Sequence, residues 1–189
     1  MEKQIDFYFD VVSPYSYVAS KLIEDLAQRN NADLLWKPFL LGGVFRAVGT
    51  SDTPGLMPAK KPYLLKDLQR LSRHYEIPLK MPADFPVRTV LAMRALSGLS
   101  SENIPQAAQI LFNAYWSENL DIADPEIVTT LIGQEAVEHA REQKVKDGLF
   151  QTTQEAVERG AFGAPTFFVN DEMFFGHDRL FLLENYLRE

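Results

Sequence analysis

Strand-forming patterns occupy the two ends of this chain, with a long helical stretch between them. Residues 4–11 alternate, with Ile5, Phe7, Phe9 and Val11 on one face and Asp6, Tyr8 and Asp10 on the other, the period of a β-strand. Residues 32–41, with Leu34, Trp36 and Phe39 apolar, read as a second strand that stops at Gly42-Gly43. Strand signals return only in "APTFFVNDEMFFG", where residues 166–169 and 172–175 flank Asn170-Asp171, a pair able to take the positive φ of a tight hairpin.

From about Phe45 to Phe150 the pattern is helical, punctuated by Pro, Gly and capping residues. It is clearest at 62–75, 89–99, 104–117 and 125–131, the last opened by Asp124 as N-cap and Pro125 at the first helical position. Between the first two strands, Tyr15, Val18, Leu22 and Leu26 recur at helical spacing and predict one helix running to Gln28. A short C-terminal helix is expected to follow the hairpin, with Asp178 as its cap.

The order is therefore β, α, β, a long helical insert, α, then a β-hairpin and α. This predicts an α/β domain from residues 1–43 and 150–189, interrupted by an inserted all-helical subdomain over 44–149. A chain of 189 residues, 46% hydrophobic, can bury the core such a domain needs. A cleft between the two parts is a natural ligand site.

Charge and composition narrow the function. The formal charge is −7, from 26 acidic and 19 basic residues, and no Lys/Arg run is long enough to follow a phosphate backbone, so nucleic acid is not an expected partner. No apolar run approaches the length of a membrane span, and the N-terminus has no signal character, so the expectation is a cytoplasmic protein without a membrane partner. His74, His139 and His177 lack the paired spacing of metal ligands, and no metal is expected.

There are no cysteines, which excludes disulfide exchange by the protein itself. Any sulfur chemistry must come from a bound molecule. This bears on Ser13-Pro14-Tyr15-Ser16, at the carboxyl end of the first strand. Ligands of α/β sheets bind there, and the helix that follows offers free N–H groups that stabilise anions, thiolates included. Ser-Pro is equally an ordinary capped helix start. The second feature is Pro165, entering the third strand in a Gly-Ala-Pro-Thr context, where a cis bond would turn the peptide groups of Ala164 outward.

Four stretches, "FYFDVVSPYSYVAS", "TPGLMPAKKPYLLKDLQRL", "FGAPTFFVNDEMFFG" and "GHDRL", span nearly the whole chain. Together they resemble the DsbA-like branch of the thioredoxin superfamily and, more narrowly, the family of 2-hydroxychromene-2-carboxylate isomerases and kappa-class glutathione transferases. The resemblance implies a thioredoxin-like fold and glutathione as cofactor. It also implies a homodimer and, as activity, isomerisation of an aromatic small molecule in hydrocarbon catabolism by thiolate addition, ring opening, bond rotation and elimination.

By position, Ser13 would bond the glutathione sulfur, with Tyr15 beside it. Ala164, ahead of Pro165, would pair through its backbone with the cysteinyl part. His177 and Asp178 would hold the γ-glutamyl end, and Lys60 and Ser51 would lie near the ligand. Arg88, Tyr15 and Phe45 are candidates to meet the substrate's carboxylate and ring. Ser51 stands where the family commonly has Asn, Arg88 where many isomerases have Asn, and His177 where a small or amide side chain is usual. Taken singly, Lys60 also reads as a solvated helix-start lysine and Phe45 as core. A kappa-type transferase on another electrophile and a non-catalytic binder of extended peptides are the other readings open at this point.

Overall fold

The computed structural model describes residues 3–50 and 57–189. Four strands form one sheet in the order β2-β1-β3-β4, where β1 is Gln4–Phe9, β2 Asp33–Pro38, β3 Thr166–Val169 and β4 Glu172–Phe175. β2 runs parallel to β1, with Phe7 opposite Trp36, whereas β3 is antiparallel to it, with Tyr8 opposite Thr166. That register brings Pro165 to the carboxyl end of β1. The Ala164-Pro165 peptide is cis, and so is Phe85-Pro86.

The hairpin forms where the sequence predicts it, with Asn170 at φ 55°. The first helix differs from expectation. It is two helices, α1 (Pro14–Ser20) and α2 (Ile23–Arg29). The N–H groups of Lys21 and Leu22 bond carbonyls three residues back, at 3.1 and 3.0 Å, and the Ser20 hydroxyl bonds the Tyr17 carbonyl at 2.7 Å. The i→i+3 turn breaks the ladder while leaving apolar spacing intact, so periodicity alone did not reveal it.

A second difference lies at Gly42-Gly43, which continue into α3 (Leu41–Ala47) rather than end a strand. Leu40 N–H donates to Thr153 Oγ1 at 3.0 Å and Leu41 N–H to Asp10 Oδ2 at 3.0 Å, so side chains remote in sequence satisfy this helix start. The helical segment continues as α4 (Lys61–Tyr75), α5 (Val90–Ser97), α6 (Ile104–Trp116), α7 (Pro125–Ile132), α8 (Gln134–His139) and α9 (Gln143–Glu158). Asp124 caps α7 as expected, accepting from Glu126 N–H at 2.8 Å. Residues 43 and 44 both lie in α3, and 149 and 150 both in α9, so each limit expected for the insert falls inside a helix.

Both faces of the sheet are covered. On one, Phe7, Phe9, Trp36 and Phe167 pack with Phe112 of α6, the Phe7 and Phe167 rings stacked 5.0 Å apart. On the other, Tyr8, Phe39 and Phe168 meet Val44 of α3 and Ala156 of α9. Asp6 lies on this second face and is compensated by Arg159 at 2.6 Å, whose guanidinium sits 3.9 Å from the centre of the Phe168 ring. The last helix, α10 (Leu180–Arg188), closes over the sheet through Leu180, Leu183 and Leu187.

Gly163, just before the cis-proline, is required by close approach: a Cβ there would lie 2.8 Å from Cε2 of Phe175. Phe175 is partly exposed and also packs on Phe162, at 4.5 Å between ring centres. Gly163→Ala is therefore expected to push the Phe175 ring outward and cost about 1–3 kcal/mol in urea unfolding. Gly163→Ala combined with Phe175→Leu, which removes the clash, is expected to recover part of that loss.

Candidate functional site

The turn between β1 and α1 is held from several sides. Ser13 N–H bonds the Asp10 carbonyl at 3.0 Å, the Trp116 indole N–H donates to the Val11 carbonyl at 2.8 Å, and Val12 N–H donates to Asp10 Oδ1 at 3.1 Å. Ser13 leaves this turn in extended conformation and caps α1, its Oγ accepting from Ser16 N–H at 3.1 Å, with Pro14 at the first helical position. The same hydroxyl donates to the Ala164 carbonyl at 3.1 Å. One side chain thus joins the start of α1 to the residue preceding the cis-proline, although the two are 151 positions apart.

Tyr15 and His177 form the next layer. Their rings stack with centres 5.2 Å apart and planes 3° from parallel, and Tyr75 of α4 lies edge-on to His177 at 6.4 Å. The Tyr15 hydroxyl donates to Asp67 Oδ2 on α4 at 3.0 Å. Burial, and next that bond, push the Tyr15 phenol far above its ordinary range. Burial holds the His177 imidazole below its usual value, against the opposing charges of Asp178 and Asp67. The site near α1 is therefore a neutral histidine and a protonated tyrosine flanked by carboxylates.

Asp178 is not a helix cap. A 3-10 turn over His177–Arg179 precedes α10, whose start has no side-chain cap, and Asp178 pairs with the neighbouring Arg179 at 2.7 Å in solvent. Gly176, at φ 97°, lets the carboxylate fold back: a Cβ there would lie 2.5 Å from Asp178 Oδ1.

Ser13, Tyr15, Ala164, Pro165, His177 and Asp178 thus share one end of the sheet. Lys60 is exposed at the start of α4, seven residues before Asp67 and so about 10 Å from it along the axis. Phe45 is half-buried in α3, and Arg88 is exposed immediately ahead of Thr89 and α5; among the described residues no hydrogen bond joins the Arg88 side chain to Ser13. Ser51 lies outside the described residues.

Two carboxylates escaped the sequence reading. Asp67 lies within a stretch that carries the resemblance but was given no role there, because only the packing of α4 on α1 brings it to Tyr15. Asp10 had a signal: it is the last charge before the Ser-Pro junction, in a strand whose second face is buried. Among the described residues, the buried side-chain polar atom without a partner is Ser16 Oγ, one turn along α1 from Ser13.

A cis-proline entering an antiparallel strand, opposite a helix that starts at the end of the central strand, defines a thioredoxin-like protein. A family model described as a DSBA-like thioredoxin domain matches residues 4–188, and the chain belongs to that family. It is 34% identical over 188 residues to the 2-hydroxychromene-2-carboxylate isomerase of Pseudomonas putida, covering 96% of this chain and 92% of that protein. It is 30% identical to the human glutathione S-transferase kappa 1, covering 100% and 92%. A solved 2-hydroxychromene-2-carboxylate isomerase superposes with a TM-score of 0.87 at 30% identity, over 98% of this chain and 94% of that one. Among the described residues no helix is long and apolar enough to cross a membrane.

Because burial depresses His177, its contribution to stability is complete above its unfolded value and is lost as the pH falls through its folded one. The Asp178 charge partly offsets that depression. In an NMR titration the His177 ring is therefore expected to protonate below the usual histidine range, and lower still in Asp178→Asn.

Proposed function

We propose that this chain is a glutathione-dependent isomerase acting on an aromatic, carboxylate-bearing substrate of the 2-hydroxychromene-2-carboxylate type. The observation that carries the reading is the Ser13 hydroxyl, set between the first amides of α1 and the Ala164 carbonyl in a chain without cysteine. A hydroxyl suited to stabilise a thiolate and a half-buried backbone partner stand together, and the protein supplies no thiol of its own. The names of the relatives support the same ligand and substrate class.

The residues present fit glutathione. When bound, it would supply a thiolate that can add to a conjugated ring and leave again. Ser13 would turn its proton from the Ala164 carbonyl to the sulfur, and that carbonyl would then be free to accept the cysteinyl N–H as a paired strand does. The α1 amides add the partial positive charge of a helix start. The orphaned Ser16 hydroxyl is a further donor beside that start.

Asp178 would take the γ-glutamyl ammonium and Lys60 a ligand carboxylate. Tyr15 and His177 would form a flat, uncharged wall that leaves the local positive charge to α1. Arg88 would grip the substrate carboxylate bidentately, and Phe45 would meet its ring. A kappa-type transferase reaction is the second reading, favoured by full-length identity of similar size to the human kappa enzyme.

Calorimetry with glutathione at millimolar concentration tests both readings, and the absence of binding sinks both. Turnover of a chromene carboxylate without net glutathione loss supports the isomerase, whereas consumption with an aryl halide supports the transferase. Ser13→Ala is expected to cost about 1 kcal/mol of stability through the lost cap. It is also expected to lower turnover per folded molecule by at least about tenfold, matching a rise of about one unit in the bound thiol's pKa. Unchanged turnover would remove Ser13 from the chemistry.

A further inference from the structure

Asp10 is 1% exposed, at the end of β1 and three residues before Ser13. Its carboxylate meets donors only. Oδ1 accepts from Val12 N–H at 3.1 Å, and Oδ2 accepts from Leu41 N–H at 3.0 Å and from the Thr89 hydroxyl at 3.1 Å. The three donors belong to three segments. Val12 lies in the turn that delivers Ser13, Leu41 opens α3, which carries Phe45, and Thr89 directly follows Arg88 at the start of α5.

We propose that Asp10 is a positioning residue whose ionised carboxylate holds the Ser13 turn in register with the two helix starts beside Phe45 and Arg88, and loosens that hold on protonation. The inference rests on the thiolate role given to Ser13 above. A protonated carboxyl is a weaker acceptor than a carboxylate and has one acceptor site fewer, so protonation weakens the hold on the three donors.

Stability alone does not account for a charge at this position. Burial pushes the Asp10 carboxyl up to about 6, against the bonds from Leu41, Val12 and Thr89. A folded-state value above the ordinary one means that the group's favourable contribution is present at low pH and is lost as the pH rises through about 6. The ionised form therefore costs stability near neutrality while it completes the three bonds.

Asp10 also faces α6, where its charge reaches Tyr115 together with those of Asp121 and Asp84. On α6, Tyr115 is pushed far up by burial first, with the charge of Asp10 a lesser contribution, and Trp116 bonds the adjacent Val11 carbonyl. Among the described residues no cation forms an ion pair with it, Arg46 on α3, Arg88 before α5 and Arg94 on α5 included, and its hydrogen-bond partners are all uncharged.

The test follows the labelled protein by NMR from about pH 5 to about pH 8. The amides of Val12 and Leu41 and the indole N–H of Trp116 are expected to shift through one shared midpoint, near 6. Asp10→Asn is expected to abolish that transition. Thr89→Val, which keeps the charge and removes one donor to it, is expected to move the midpoint up. With glutathione bound, the ultraviolet thiolate band of Asp10→Asn should titrate about one unit higher than in the native protein, about tenfold less thiolate at a given pH below the midpoint.

Independent midpoints for the three N–H groups, or an unchanged thiol titration in the variants, would overturn the proposal. If Asp10→Asn does not fold, Thr89→Val supplies both readouts. If the native protein shows no bound glutathione, the proposed function fails on its own, and the shared midpoint still decides whether Asp10 couples the segments.

Discussion

The bond from the Ser13 hydroxyl to the Ala164 carbonyl is the contact on which the site depends. It spans a separation of 151 positions and exists only because β1 pairs with β3 in one register, Tyr8 against Thr166. Slip that pairing by one residue and every side chain of β3 changes face, so Phe167 would leave the ring stack with Phe7. The aromatic core therefore sets the register, and the register brings the serine to the carbonyl.

A second dependence runs through the other face of the sheet. In a half-solvated strand Asp6, Tyr8 and Asp10 would meet water. Here α9 and α3 cover them, and each polar group is answered by a specific partner: Arg159 for Asp6, and two amides and a hydroxyl for Asp10. Covering that face turned two surface-like carboxylates into structural groups. It also drew α3 against the β1 turn, so the helix that carries Phe45 and the turn that carries Ser13 share one anchor.

Much of this was legible from residue patterns. The strand alternation, the Asn170-Asp171 hairpin, the Asp124-Pro125 helix start and the Ser13-Pro14 cap rest on local chemistry that acts over a few residues, and the structure shows each. The helix break at Lys21-Leu22 was not legible, since an i→i+3 turn keeps the apolar spacing. Nor was α3, whose two glycines argue for a stop until Thr153 and Asp10 satisfy its first amides. Asp178 read as a cap, yet the turn at Gly176 displaces the start of α10 beyond it.

By itself, the sequence determined that any thiol chemistry would have to be borrowed, because it contains no cysteine, and that a hydroxyl stands at the helix start after the first strand. It also determined the coarse order of strands and helical segments, though neither the break between α1 and α2 nor α3, since periodicity and turn residues are local properties. The tertiary structure alone decided which distant groups meet: Ser13 with Ala164, Tyr15 with Asp67 and His177, and Asp10 with Leu41 and Thr89. Those pairings depend on how helices and strands pack to exclude water. Packing selects among arrangements that leave each segment's own pattern unchanged.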